Sequence, residues 1–198
     1  MGDLIDWLEQ QAVRIQRIRP IGEGGYVIRL RVTRHRGPRI VLKDGTTVEP
    51  GDVVGELHLD NRRAAALHAE GHSGLRFRQE VFRALPALAR ELCTRPEYRA
   101  ITALYGASLF WASSRLAAKM GFEDRPLPPF TRWWQGGLER YLLAHYHPEG
   151  RRRLTRGRRT ELRQIWISRR GVLRFAGGGT PGARPGPPEE GQDPPRLR

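Results

Sequence analysis

The chain has 198 residues, a formal net charge of +14 and a single cysteine, Cys93. This length is enough for one domain with its own core, and a single cysteine excludes both an internal disulfide and a thiolate zinc site. No uncharged run reaches the roughly 20 residues of a membrane helix, and the acidic residues near the N-terminus argue against a signal peptide. We therefore expect a cytoplasmic protein without a membrane span.

The positive charge is concentrated in one part of the chain. Residues 1–130 have 20 basic and 15 acidic side chains, whereas residues 131–175 have 12 and 3. Such a basic block favours a polyanion partner. Only two of the 35 basic residues are lysines, which is typical of an arginine-rich genome, so an ordinary solvated basic face stays the alternative.

The first predicted element is an amphipathic N-terminal helix within residues 1–20, which ends at Pro20. Its apolar residues recur near helical spacing at Leu4, Leu8, Ile15 and Ile18.

Three strands are predicted next, over residues 26–33, 39–43 and 53–59. Apolar and polar residues alternate in the first and third strands, which is typical of half-buried strands. Asp44-Gly45 is a strong hairpin-turn signal, and Pro50-Gly51-Asp52 marks a second turn. The three strands should therefore form an antiparallel meander.

Two helices follow the meander. Asp60 or Asn61 lies where an N-cap belongs, ahead of a helix over residues 62–70. The second helix has an apolar stripe that contains Pro86, where we expect a kink or a break. The stripe consists of Phe77, Val81, Phe82, Leu85, Leu88 and Leu92.

The C-terminal half is predicted to extend the sheet. Residues 101–105 read as a strand, Ser108 caps a helix, and a further strand begins near Phe122. This order suggests a crossover that joins the meander to parallel neighbours. A helix over residues 130–145 and a last strand over residues 163–168 complete the elements.

We therefore predict one α+β domain over residues 1–175. It combines the N-terminal helix and an antiparallel β-meander, extended by a strand–helix–strand unit into a mixed sheet, with helices packed on it. Residues 176–198 are rich in glycine and proline and almost without large apolar residues, which predicts a disordered tail.

The best candidate site is the strand-to-helix junction at His58, Asp60 and Asn61. A histidine can act as acid, base or ligand, and the carboxylate and amide can orient a hydroxyl or a water. In the alternative, Asp60 or Asn61 only caps the helix and His58 is an ordinary strand residue.

Tryptophans supply a second kind of candidate. Trp133, Trp134 and Trp166 have flat faces that can stack on sugar rings or bases, and core packing is the alternative. At most one of two adjacent tryptophans can be deeply buried on a single helix face. We therefore expect either Trp133 or Trp134 to be partly exposed and able to stack on a ligand.

An arginine block and a histidine pair were the remaining candidates. The block would suit nucleic acid, although no recognised RNA or DNA motif surrounds it; it consists of Arg151, Arg152, Arg153, Arg156, Arg158 and Arg159. His68 and His72 have metal-pair spacing, but no glutamate completes a HExxH pattern. We read the two histidines as exposed polar residues and predict neither a metal nor a cofactor.

One segment of the chain resembles a known family. The segment is LKDGTTVEPGDVVGELHLDN, and looser similarity continues through ITALYGASLFWASSRLAAKMGF, AHYHPEG and WISRRGVL. These segments resemble the YkoP-like family of bacilli and their relatives, whose members occur alone or joined to polysaccharide deacetylase domains. The resemblance implies a link to envelope polysaccharide, by association only, since this chain has no deacetylase domain.

Three functional hypotheses follow. The first is a non-catalytic accessory or ligand-binding domain whose partner is envelope carbohydrate or a polysaccharide-modifying enzyme. It would use His58, Asp60 and Asn61 for hydrogen bonds and a tryptophan for stacking. The second is an enzyme on a sugar or acyl substrate, with His58 as base and Asp60 orienting it. The third is a nucleic-acid-binding protein that uses the arginine block.

Overall fold

The fold is centred on a six-stranded mixed sheet. A computed structural model of the chain describes residues 17–22, 25–69, 74–108, 115–127, 136–137, 140 and 162–177. Across the sheet the strands lie in the order β1 (Arg19–Pro20), β2 (Ile28–Arg34), β5 (Val53–Leu59), β6 (Ala103–Ser108), β8 (Arg163–Ser168) and β7 (Glu123–Pro126). Strands β5 and β6 are parallel, and all other neighbours are antiparallel.

A small hairpin and helices surround the sheet, and four of these helices have defined bounds in the described residues. The hairpin is a separate two-stranded sheet of β3 (Ile40–Val41) and β4 (Thr47–Val48). The helices are α1 (Asn61–Ala69), α2 (Gly74–Thr94), α3 (Arg115–Lys119) and α4 (Arg169–Leu173), with a 3-10 turn at Pro96–Tyr98. The α+β class and the mixed sheet agree with the prediction.

One face of the sheet forms the main core against helix α2. Strand β2 contributes Ile28 and Leu30, and the helix contributes its predicted apolar stripe, of which Val81, Leu85, Leu88 and Leu92 are buried. Because alternate residues of a strand point to opposite faces, Arg29 and Arg31 must lie on the other face of the sheet.

The absence of a side chain at Gly55 permits close packing under strand β5. A Cβ atom at this position would lie 2.9 Å from Leu30 Cδ1 and 3.1 Å from Leu104 Cγ. Glycine at this point therefore lets the side chains of Leu30 and Leu104 pack directly over the backbone of β5.

The predicted meander is wrong in its pairing. Strand β2 pairs directly with β5, and the segment between them leaves the sheet as the β3–β4 hairpin. The predicted hairpin turn is present: Gly45 has φ 82° and its N–H donates to Leu42 O at 2.9 Å. Hairpin residues Leu42 and Val48 pack on Val54 of β5, so the hairpin covers the sheet instead of extending it.

Other predictions need correction at particular residues. Arg19 and Pro20 belong to strand β1, paired with β2, so the N-terminal helix does not reach residue 20; residues 1–16 lie outside the described part. Helix α2 continues through Pro86, so the expected break is absent, and the alternative of a kink stays a prediction. Strand β8 lies between β6 and β7, so the parallel neighbours are β5 and β6.

The remaining predictions fall mostly outside the described residues. Of the helix expected over residues 130–145, residues 136, 137 and 140 are described, and all three are helical. Of the expected tail, only residues 176 and 177 are described.

Candidate functional site

The second face of the sheet carries a group of polar side chains near the centre of strands β2, β5 and β6. The strand register places Arg29 opposite His58, Arg31 opposite Glu56, and Glu56 beside Tyr105. Together with the residue that follows β5 they form what we call the polar cluster: Arg29, Arg31, Glu56, His58, Asp60 and Tyr105.

Glu56 is at the centre of the polar cluster. Its Oε2 atom lies 3.3 Å from Arg31 Nη1 and 3.4 Å from His58 Nε2. Burial by itself would raise the pKa of Glu56, but the neighbouring His58 and Arg31, with a hydrogen bond from Tyr105, bring that pKa below its ordinary value. Glu56 is therefore a charged carboxylate in a half-buried setting.

Tyr105 has the opposite electrostatic behaviour. Burial, and then the negative charge of Glu56, raise the pKa of the Tyr105 hydroxyl well above its ordinary value. The hydroxyl therefore stays protonated and donates a hydrogen bond to the Glu56 carboxylate.

His58 has an unsatisfied ring nitrogen. Its side chain is 29% exposed, yet the Nε2 atom is buried and has no aligned hydrogen-bond partner in the described part of the chain. The distance of 3.4 Å to Glu56 Oε2 is within ion-pair range, but the geometry is not that of a hydrogen bond. Of the residues in the polar cluster, His58 is the one with a buried polar atom left unpaired.

Asp60 has structural contacts on both oxygens. Oδ2 lies 2.5 Å from Arg29 Nη2, and Oδ1 accepts a hydrogen bond from the backbone N–H of Arg63 at 3.1 Å. The second bond caps helix α1. The carboxylate beside His58 is therefore that of Glu56, and the idea that Asp60 orients His58 needs correction. Asn61 begins helix α1, and its side chain lies outside what the structure describes.

Trp166 is a core residue, so it offers no surface for stacking with a ligand. It is 1% exposed and stacks on Tyr105 with ring centroids 4.8 Å apart. Its ring is perpendicular to that of His35, with centroids 5.6 Å apart. Its Nε1–H donates to Gln164 Oε1 at 3.1 Å. Trp166 packs with the apolar residues under the hairpin and also contacts Tyr105, a member of the polar cluster.

Several predicted site residues lie outside the described residues. These are Trp133, Trp134, His72 and the arginine block of Arg151, Arg152, Arg153, Arg156, Arg158 and Arg159. Nucleic-acid binding and tryptophan stacking therefore stay predictions. Within the described part of the chain, no three His, Cys, Asp or Glu side chains are grouped as metal ligands, and no helix has the length and hydropathy to cross a bilayer.

The sequence reasoning missed four members of the polar cluster, namely Arg29, Arg31, Glu56 and Tyr105. The signal for three of them was present, because the alternation in each strand placed Arg29 with Arg31, and Glu56 with His58, on one face. Which strands pair, and in which register, was needed to bring the two pairs together.

Known proteins with similar sequences point to one family. The family model described as "YkoP domain" matches residues 3–176. "Uncharacterized protein YkoP" of Bacillus subtilis (strain 168) is 26% identical over 111 residues, which are 54% of this chain and 59% of that protein. The chain thus spans somewhat more than half the length of this curated relative. No solved structure matches the chain.

Proposed function

The chain belongs to the YkoP domain family, and we propose that it is a non-catalytic ligand-binding domain linked to cell-envelope polysaccharide. The observation that carries the binding proposal is the buried Nε2 atom of His58, which lies 3.4 Å from Glu56 Oε2 but has no well-aligned hydrogen-bond partner among the described residues. Buried polar atoms of native proteins nearly always have partners, and a bound ligand is one way to supply the missing one.

The chemistry of the polar cluster suits a polyhydroxylated ligand. Arg29 and Arg31 supply N–H donors, and Glu56 and Asp60 supply carboxylate acceptors. A sugar hydroxyl both donates and accepts, so it can bind between such groups. The assignment to envelope polysaccharide rests on the association of similar domains with polysaccharide deacetylases.

A thermal-shift screen with matched variants tests the proposal. The protein is melted with envelope glycan fragments, including acetylated and deacetylated amino sugars. A ligand at about 100 times its dissociation constant adds roughly 2.7 kcal/mol, which raises Tm by several degrees for a domain of this size. His58→Ala removes the proposed contact. Val32→Ala, which truncates a 41% exposed side chain on the opposite face of the sheet, is the control.

The expected result is a shift in the wild type and in Val32→Ala that is absent in His58→Ala. If no fragment shifts Tm, or if His58→Ala responds like the wild type, the proposal is wrong.

A catalytic role is the second candidate, favoured by the distance of 3.4 Å between Glu56 Oε2 and His58 Nε2. A carboxylate beside an imidazole can hold it for proton transfer to or from a bound group. In this case His58 would act as the base, with Glu56 in the orienting role first assigned to Asp60.

The two candidates differ in turnover. Incubation of the binding fragments with the protein, followed by NMR, separates them: a binding domain leaves the fragment unchanged, whereas an enzyme forms a product. Under the catalytic reading, Glu56→Gln must slow product formation while the fragment still binds.

A further inference from the structure

A cleft of about 480 Å³ lies beside strand β7, the last strand of the sheet in the described residues, and shares no residue with the polar cluster. The end of the hairpin, helix α3, strand β7 and one residue of β8 line it. Its volume is within the range of roughly 300–1,000 Å³ that small-molecule sites occupy in proteins.

The floor of the cleft is apolar. Four of its lining residues are 5% exposed or less: Leu42, Ala117, Phe122 and Ile165. Four of the other seven lining residues are charged: Lys43, Glu123, Asp124 and Arg125. An apolar floor with a few polar groups at one side is the usual composition of a small-molecule site.

Both carboxylates of the cleft already have cationic or N–H partners. Glu123 Oε1 accepts the backbone N–H of Lys43 at 2.5 Å, and its Oε2 lies 3.6 Å from Arg125 Nη2. Asp124 Oδ1 accepts Arg163 Nε–H at 2.7 Å. Both carboxylates are therefore already engaged by neighbouring groups.

The cationic groups of the cleft are less completely paired. Arg125 Nη2 donates to Val41 O, which joins the hairpin to β7. The Nε–H of Arg125 is buried and has no acceptor among the described residues. Lys43 also lines the cleft and is exposed, and its ammonium group has no partner among the described residues. Among the described side chains of the cleft, the buried polar atom without a partner is therefore a donor.

We propose that this cleft binds a small organic anion, a carboxylate with a compact apolar body. The carboxylate would accept hydrogen bonds from Arg125 Nε–H and Lys43, since an arginine matches carboxylate geometry and charged hydrogen bonds are the stronger kind. The apolar body would cover Phe122 and Leu42. The site is separate from the polar cluster, so it stands or falls independently of the proposed function.

NMR of the arginine Nε–H groups tests the proposal on the full chain. The probes are benzoate and hexanoate, and the neutral controls are benzamide and hexanamide. We expect both carboxylates to move the Arg125 Nε–H resonance saturably at about millimolar concentrations, and the amides to bind at least about tenfold more weakly. No movement with either carboxylate, or equal movement with the amides, overturns the proposal.

Variants locate the binding. Lys43→Gln changes an exposed side chain and should weaken benzoate binding severalfold without affecting the fold. Arg125→Lys keeps the charge but removes the Nε–H, and should weaken binding by about tenfold. Arg90→Gln, an exposed arginine of helix α2, is the control and should bind as the wild type does.

Loss of binding in a variant must be distinguished from loss of its folded structure. Arg125 holds the hairpin through Val41, so its variant is used only if its spectrum is that of a folded protein. If the Arg125 variant is not folded, the affinity of Lys43→Gln for benzoate is the test. An affinity equal to that of the wild type contradicts the proposed site.

Discussion

Replacing Glu56 with glutamine should destabilise the protein because it removes the negative charge at the centre of the polar cluster. The side chains of Glu56, Arg31 and His58 are 20%, 33% and 29% exposed. Exposed ion pairs contribute about 0–1 kcal/mol, whereas breaking a fully buried pair costs about 3–5 kcal/mol. For this intermediate burial we expect the free energy of unfolding at pH 7 to fall by roughly 1–3 kcal/mol.

The loss should also depend on pH in a definite direction. The pKa of Glu56 is lowered in the folded protein from its ordinary value of 4.5. A carboxylate with a lowered pKa contributes stability that is complete above the unfolded value and is lost as pH falls through the folded value. The difference between wild type and Glu56→Gln should therefore shrink as the pH falls below the ordinary value of 4.5.

Urea unfolding at several pH values measures both effects. The control is Glu97→Gln, because Glu97 lies 3.4 Å from Arg19 but is 46% exposed, and its loss should cost less than about 0.5 kcal/mol. The reasoning is refuted if Glu56→Gln costs no more than the control. It is also refuted if its cost is the same at pH 7 and at a pH well below 4.5.

Three further predictions concern neighbouring elements. Asp60→Ala removes the cap of helix α1 and the partner of Arg29, and should cost about 1–2 kcal/mol in urea unfolding, whereas Asp60→Asn keeps the cap and should cost less; equal losses would show that the cap contributes little. Leu42→Ala empties a buried site under the hairpin and should cost about 2–5 kcal/mol, and a loss below that range would mean the hairpin packs loosely. Burial would raise the pKa of Asp44, but hydrogen bonds from the Ser168 hydroxyl and the Thr46 backbone lower it to about 2. The contribution of the Asp44 carboxylate to folding stability is therefore complete above the ordinary value of 3.8 and is lost as pH falls through about 2. NMR titration of the Asp44 carboxyl carbon checks this, and a midpoint near 3.8 would contradict the hydrogen-bonded arrangement.

Local sequence signals predicted single elements well. The last strand was predicted over residues 163–168, which are the bounds of β8. The Asp44-Gly45 turn is where the sequence placed it, because a glycine with positive φ is needed there and the residue types declare it.

The local sequence did not predict which strands pair with one another. The segment over residues 39–43 has the composition of a sheet strand, but whether it joins the sheet or folds over it depends on contacts with distant residues. The packing of Leu42 and Val48 on Val54 and Trp166 decides that question. Those same contacts bury Trp166, which composition alone presented as a stacking residue.

Only part of the polar cluster could be expected from the sequence, because the pairing of the strands was not known. His58 and Asp60 lie in one cluster, and Asp60 has the capping role that was weighed as the alternative. Glu56 was the missing partner of His58, because the sequence offered two carboxylates near the histidine and only the strand geometry distinguishes them.

The most direct test of the ligand-binding proposal is an amide NMR titration of the full chain with the glycan fragment that raises Tm most. The account predicts saturable shifts centred on residues 29–31 of β2 and 56–58 of β5, and their loss in His58→Ala. Shifts confined to other surfaces, such as the cleft beside β7, or no saturable shift with any fragment, would contradict it.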